Sequence, residues 1–200
     1  MDIELNDTGI LQATEIGRLL KNEKVDYIYS SKLKRAFTTA EYIRQQNINS
    51  KEIDISKNEW LNERGYGSCE GMHISEYRQK NEQEKLECGV ESIQHVRIRC
   101  GNFCKDMHAQ IKKCVKLQNT IRDNGSISCT PVTVIVVSHG AYFNQLVKYF
   151  KETNQLAQFT SNSIENCECH YFSYAIKDNA KLKNNIFYID NIKPVIKNDN

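Results

Sequence analysis

The sequence lacks an excess of charge of either sign, and it lacks any apolar run long enough to span a membrane. Its 27 Lys and Arg residues nearly balance its 25 Asp and Glu residues, which leaves a formal net charge of +2 at pH 7. Nucleic-acid-binding domains are typically strongly basic, so we expect no nucleic-acid partner. The first residues are acidic and polar, unlike a secretory signal peptide. These absences indicate a cytoplasmic protein without a membrane partner.

The eight cysteines include no Cys-x-x-Cys pair, the spacing most typical of zinc ligands. Cys167, Cys169 and His170 form the densest cluster of possible metal ligands. Alternate residues of a strand face the same side, so His170 would point away from both cysteines, and we expect no metal site. Without a secretory signal, reduced and mostly buried thiols are the better interpretation of the cysteines.

Strand-like and helix-like patterns alternate along the chain, which predicts an α/β fold. Specifically, we expect a three-layer αβα sandwich with a mostly parallel central sheet, in a single domain over 1–200 with a frayed tail over 193–200. The run VTVIVVS at 132–138 is apolar on both faces, which is typical of a central strand covered by helices on each side. The predicted elements are a helix over 8–21 capped by Asp7 or Thr8, a strand over 26–31, a helix over 32–46, an extended segment over 52–63, one long helix or two with a bend over 93–121, a loop over 123–131, a strand and helix over 132–150, and two late strands over 167–176 and 185–192.

Two predicted strands end in polar residues that lead directly into helices. Ligands of parallel sheets bind at such turns, and the free N–H groups at a helix start favour an anion. Arg35 lies at the first turn and could hold two phosphate oxygens, while His139 lies at the second. Gly140 follows His139 and would let the backbone approach a ligand closely. Together these placements predict a phosphate pocket.

Glu63 lies in a glycine-rich stretch, EWLNERGYGSCEGM, that we interpret as a loop. If the loop folds over the pocket, Glu63 is a candidate general acid. Taken alone, the motif is better explained by an exposed loop carboxylate paired with Arg64.

Five motifs occur in an order and spacing that resemble the histidine phosphatase superfamily, which includes phosphoglycerate mutases and many phosphatases. They are LNDTGILQA, YSSKLKRAFTTAEYI, LNERGYGSCEGM, GVESIQHVRIR and VVSHGAYF. The resemblance implies phosphoryl transfer through a phosphohistidine, with a small phosphorylated metabolite or a phosphoprotein as substrate and with no cofactor.

The resemblance also implies a role for each matching residue. Arg35 would grip the phosphate, Glu63 would protonate the leaving oxygen, and His139 would stabilise the transferred group. The backbone amides of Gly140 and Ala141 would add hydrogen-bond donors. The resemblance implies that no metal is required, because arginines and histidines supply the positive charge that magnesium supplies in other phosphoryl-transfer enzymes.

The family's nucleophile lies in an Arg-His-Gly motif at the end of its first strand, and no such tripeptide occurs in this sequence. We therefore expect an incomplete enzyme with little activity and low stability, since a missing central strand leaves sheet edges unpaired. A non-catalytic module that binds phosphorylated ligands is the alternative. Within the family, LNERGYG resembles the mutases, whereas SCEGM and LKRAFTTAEYI resemble the phosphatases more, so we favour a phosphatase. His73 flanks the acidic loop, where a surface or helix-start role is expected.

Overall fold

The computed structural model describes residues 2–50, 52–121 and 132–153. The helices are α1 (Asp7–Leu19), α2 (Lys34–Gln46), α3 (Ile74–Gln79), α4 (Glu82–Glu87), α5 (Ile93–Ile121) and α6 (Gly140–Glu152), and the strands are β1 (Tyr27–Ser31), β2 (Ile55–Asn58) and β3 (Val134–Val137). Two short 3-10 turns, Glu59–Leu61 and Gly67–Cys69, lie between β2 and α3. The alternation of strands and helices confirms the predicted α/β fold.

The three described strands form a parallel sheet in the order β2-β1-β3. Ser30 of β1 lies opposite Lys57 on one side and Val137 on the other. Since β1 is hydrogen-bonded on both sides, the unpaired edge expected from a missing strand does not lie on β1. All three strands run in the same direction, so their carboxyl ends meet at one edge of the sheet.

Hydrophobic clusters cover both faces of the sheet, as the predicted three-layer sandwich requires. On one face, Tyr29 packs with Phe103 of α5 and Tyr142 of α6. On the other face, Ile28 packs with Ala40 of α2. Alternate residues of β3 divide between the two clusters, which explains why that run is apolar throughout. Among the described strands, however, β1 rather than β3 is the one with a neighbour on each side.

The predicted first helix is present as α1, but its cap and its buried face differ from the prediction. Asn6, not Asp7 or Thr8, is the N-cap, and its side chain accepts a hydrogen bond from the Gly9 N–H at 2.8 Å. Leu11 recurs with Ile16, Leu19 and Leu20 at helical spacing, which predicts a buried apolar face, but Leu11 is 69% exposed. The buried residues of the helix are small, and they are Gly9, Ala13 and Gly17. Small side chains let α1 approach α2 closely, which a count of large apolar residues does not reveal.

The predicted helix over 93–121 is a single helix, α5. Apolar residues recur at steps of three and four along 93–121 of the sequence, which predicts one buried helix face. The buried residues of α5 follow that spacing, and they are Val96, Cys100, Phe103, Met107 and Ile111. None of the helices in the described part of the chain has both the length and the apolar character needed to cross a bilayer. The predicted loop over 123–131, the late strands, the tail and the Cys167–His170 cluster lie outside the described residues.

Candidate active site

His139 lies two residues after β3, at the N-cap position of α6, and only 7% of the residue is exposed. Its Nε2 atom is 2.9 Å from the Oγ atom of Ser31, which is the last residue of β1. Because β1 and β3 are neighbours in the sheet, their carboxyl ends bring these two residues together across 108 positions of sequence. The predicted site residue His139 is therefore a buried side chain at the carboxyl edge of the sheet.

Ser31 also connects His139 to the loop that follows β2. Its hydroxyl lies 2.9 Å from Oδ1 of Asn62 and accepts a hydrogen bond from the Leu33 N–H at 3.2 Å. Asn62 Oδ1 accepts a second hydrogen bond, from the Lys32 N–H at 3.0 Å. The turn after β1 and the loop after β2 are thus joined at the site through side-chain hydrogen bonds.

The electrostatic environment of His139 is set by burial and by two arginines. Burial lowers the pKa of His139 most, the charges of Arg35 and Arg99 lower it further, and Asp2 opposes them, so that the pKa is about 3. The imidazole is therefore neutral at pH 7. The charges of Arg35 and Arg99 together outweigh that of Asp2 and give a positive potential at the imidazole, which favours an anion at this edge of the sheet.

Glu63 lies at the start of α6, beside His139. Its Oε1 atom accepts hydrogen bonds from the N–H of Tyr142 at 3.2 Å and from the backbone N–H of Arg64 at 2.8 Å. The carboxylate is half-buried, and the Arg64 side chain instead donates to the carbonyl of Glu91. The alternative of an exposed carboxylate paired with the Arg64 guanidinium is thus not what the structure shows.

Gly140 and Ala141 form the first turn of α6, directly after His139. The first N–H groups of a helix have no partner within it, and Glu63 takes only that of Tyr142. The N–H groups of Gly140 and Ala141 thus belong to the helix start that adjoins His139 and Glu63. The structure brings Arg35, Glu63 and His139 to one edge of the sheet.

Arg99 of α5 holds the loop that carries Glu63. Its Nη1 atom donates to the carbonyls of Trp60 at 2.7 Å and Asn62 at 2.9 Å, while Nε and Nη2 each donate to Glu91 at 2.8 Å. Burial alone would raise the pKa of Glu91, but hydrogen bonds from Arg99 and the Arg99 charge outweigh it and hold that pKa below its ordinary value. This forked ion pair ties the loop to α5.

A second carboxylate, that of Asp2, lies at the start of α2. Its Oδ1 atom accepts a hydrogen bond from the Lys34 N–H at 2.7 Å, and the N-cap residue Leu33 provides no side-chain cap. Asp2 thus occupies the helix start next to Arg35. His73, in contrast, caps α3, where its ring accepts from the Ser75 N–H, which confirms the predicted helix-start role.

The histidine phosphatase superfamily (branch 1) model matches residues 1–186. The chain belongs to the histidine phosphatase superfamily. This match confirms the family that the five motifs indicated, and it places the chain among phosphatases and phosphoglycerate mutases.

Several named relatives share part of the sequence. Fructose-2,6-bisphosphatase TIGAR of Xenopus tropicalis is 28% identical over 188 residues, which cover 78% of this chain and 68% of the relative. A 2,3-bisphosphoglycerate-dependent phosphoglycerate mutase of Buchnera aphidicola is 41% identical over 87 residues, covering 42% of this chain and 37% of the relative. The relatives thus include both a phosphatase and a mutase, the two activities that the motifs suggested.

Solved histidine phosphatase structures share the fold. A mycobacterial hydrolase superposes with a TM-score of 0.68 at 18% identity, covering 100% of this chain and 84% of that protein. A mycobacterial glucosyl-3-phosphoglycerate phosphatase superposes with a TM-score of 0.57 at 20% identity, covering 76% of this chain and 69% of that protein. The α/β architecture of this chain is the one these proteins use.

Four residues at the site had no predicted role. Ser31 and Asn62 lie within quoted motifs, YSSKLKRA and LNERG, but nothing in either motif alone indicates a contact with His139. Glu91 and Arg99 lie in GVESIQHVRIR, where a carboxylate and a guanidinium eight residues apart were the only available signal. Besides pairing with each other, they bind backbone groups of a distant loop, which sequence spacing does not identify.

Proposed function

We propose that this chain is a phosphomonoester hydrolase of the histidine phosphatase type. The observation that carries the proposal is the buried His139, held at the carboxyl edge of a parallel sheet in the field of Arg35 and at the start of α6. A phosphoryl group placed there would meet the Arg35 guanidinium and the N–H groups of Gly140 and Ala141. Glu63 lies beside the same helix start, in reach of a leaving oxygen.

The proposed reaction has two steps, as the family resemblance implies. A histidine nitrogen attacks the phosphorus, the bond to the ester oxygen breaks, and Glu63 gives a proton to that oxygen. Water then attacks the phosphohistidine, which releases inorganic phosphate and restores the histidine. The attacking histidine of the family belongs to an Arg-His-Gly motif that these 200 residues do not contain. We therefore propose that this chain binds phosphate well and hydrolyses esters slowly.

A small phosphorylated metabolite is the substrate class that we favour over a phosphoprotein. The support comes from relatives whose names specify small phosphorylated metabolites, fructose 2,6-bisphosphate and phosphoglycerate. A phosphoglycerate mutase is the alternative within the family, because the 41% identical segment comes from a mutase. The free thiols of the described residues suit a reducing compartment, in keeping with a cytoplasmic location.

Phosphate and vanadate binding by calorimetry, together with p-nitrophenyl phosphate hydrolysis at mildly acidic pH, tests the proposal. Loss of a charge-assisted hydrogen bond costs about 1.5–3 kcal/mol, so Arg35→Ala should weaken binding roughly 10- to 100-fold. His139→Ala should reduce whatever turnover the chain has. The control is Arg18→Ala, because Arg18 is exposed on α1 and paired with Glu15.

The outcomes separate the proposed function from its competitor. Tight phosphate binding with no hydrolysis by any variant would favour the non-catalytic binding module, which the absent Arg-His-Gly motif makes the second candidate. Equal phosphate affinity in Arg35→Ala and the unmodified chain would reject the assigned site for both.

A further inference from the structure

We propose that Ser31 and Asn62 are positioning residues that hold the His139 imidazole with its proton on Nε2 and so reserve Nδ1 for the bound phosphoryl group. The role assigned to Nδ1, that of binding a phosphoryl group, rests on the proposed function. The three side chains come from the last residue of β1, the loop after β2 and the turn after β3. Each is thus carried by a different element of the fold.

The direction of each hydrogen bond follows from the backbone group at the end of the network. The Lys32 N–H can only donate, so the Asn62 atom 3.0 Å away must be the amide oxygen. That oxygen has no proton, and therefore the Ser31 hydroxyl, 2.9 Å away, donates its proton to Asn62. A hydroxyl has one proton, so Ser31 has none left for His139.

Ser31 must consequently accept the hydrogen bond from His139. Its Oγ atom already accepts from the Leu33 N–H at 3.2 Å, which leaves one acceptor position for a second donor. His139 Nε2, 2.9 Å away, fills that position only if Nε2 carries the proton. In the neutral imidazole, Nδ1 is then the unprotonated nitrogen, and it is the ring atom available to gain a proton when an anion binds.

The backbone near Asn62 is itself held in place, which makes the network rigid. Arg99 Nη1 donates to the Asn62 carbonyl at 2.9 Å, and the Ser138 hydroxyl donates to the Leu61 carbonyl at 2.6 Å. The peptide groups before and after the Asn62 Cα are therefore hydrogen-bonded to the residue before His139 and to α5, respectively. Small shifts of this loop would be transmitted to the imidazole through Ser31.

The preset tautomer suits the charge that the site would receive. Burial and the two arginines keep His139 neutral at pH 7. A phosphoryl dianion would favour protonation at Nδ1, which then donates to a phosphoryl oxygen while Nε2–H remains bonded to Ser31. The ring need not rotate or exchange its proton between nitrogens when the ligand arrives.

Long-range ¹H–¹⁵N NMR spectra of the histidine-labelled chain at pH 7 test the assignment directly. The expected spectrum has His139 Nε2 at the position of a protonated ring nitrogen and Nδ1 at that of an unprotonated one. An Nδ1–H tautomer in the unmodified chain would overturn the proposal without any variant being needed.

Variants of the two positioning residues test the cause of the preference. Ser31→Ala removes the acceptor and should lower the ratio of the Nε2–H to the Nδ1–H tautomer roughly fivefold, the net effect of one hydrogen bond. Ser31→Thr retains the hydroxyl and should restore the ratio. Asn62→Leu frees the Ser31 proton for donation to Nε2, and it should shift His139 toward Nδ1–H. Asn62→Asp retains the acceptor and is the matched control.

An unchanged tautomer ratio in both Ser31→Ala and Asn62→Leu would show that these residues do not position the ring. Titration with inorganic phosphate separates this inference from the proposed function. Nε2 protonated with no response of Nδ1 to phosphate would reject the phosphate site and retain the positioning role. A response of Nδ1 to phosphate with Nε2 unprotonated would retain the phosphate site and reject the positioning role.

Discussion

The low pKa of His139 predicts that this protein loses stability in mild acid, and that one substitution removes much of the effect. The folded-state pKa is about 3 because the ring is buried near Arg35 and Arg99, whereas an unfolded histidine has a pKa of about 6.5. Between these values the unfolded chain binds the proton and the folded chain does not. The free energy of unfolding therefore falls as the pH is lowered below 6.5.

The size of the effect follows from the two pKa values. Each pH unit between them corresponds to about 1.4 kcal/mol, so lowering the pH from 7.5 to 5.0 should cost about 2 kcal/mol through this residue alone. His139→Gln has no group that titrates there, and its unfolding free energy should fall by about 2 kcal/mol less over the same range. The half-buried His108, whose pKa is also lowered by burial, contributes equally in both proteins and cancels in the comparison.

Urea unfolding at a series of pH values measures the difference. The fluorescence of Trp60, the single tryptophan, reports on the half-buried loop beside the site. His95→Gln is the control, because His95 is exposed on α5. If His139→Gln and the unmodified chain lost stability in parallel between pH 7.5 and 5.0, the described burial of His139 near the charges of Arg35 and Arg99 would be refuted.

Three further predictions concern the surroundings of the site. Arg99→Ala leaves the half-buried Glu91 carboxylate without its guanidinium partner and removes the donor to the carbonyls of the loop that carries Glu63. The free energy of unfolding measured with urea should therefore fall by about 3 kcal/mol. A fall below about 0.5 kcal/mol would contradict the role of Arg99 in holding this loop. Gly67 has φ +55°, and a Cβ there would collide with the carbonyl oxygen of Cys88, so Gly67→Ala should lower the free energy of unfolding by about 1–3 kcal/mol. Gly71→Ala is the control, because Gly71 is exposed and also has a positive φ but no described collision. Hydrogen bonds from Cys69 and Ser68 lower the pKa of the Cys88 thiol, whereas burial raises the pKa of Cys104 to about 12. Cys88 should therefore react with iodoacetamide at pH 7.5 before Cys104 does. Mass spectrometry of the peptides measures the order, and labelling of Cys104 first would disprove the prediction.

Long periodic segments were predictable from the sequence because their pattern is set by local geometry. The steps of three and four residues along 93–121 predicted α5, and its buried side chains follow that pattern. The apolar run at 134–137 predicted a strand covered on both faces, and its alternate residues pack into two clusters. In both cases the burial of a stripe or a face is required by the element itself.

Features that depend on a neighbouring element were predicted less well. The buried face of α1 consists of small residues because α2 lies close to it, so large apolar residues such as Leu11 face outward. Likewise, the Glu63 carboxylate was expected near a ligand, but its hydrogen bond to the N–H of Tyr142 could not be inferred from the loop sequence. Such contacts depend on how two elements approach each other.

By itself, the sequence determined the α/β alternation, the family, and the placement of Arg35 and His139 at turns that follow strands. Only the tertiary structure decided that Ser31, Asn62 and Arg99 join those turns, through hydrogen bonds between residues up to 108 positions apart. The physical reason is that periodicity records which side of an element is buried, whereas a hydrogen bond requires two particular atoms within about 3 Å. That distance exists only after the strands have been set in register.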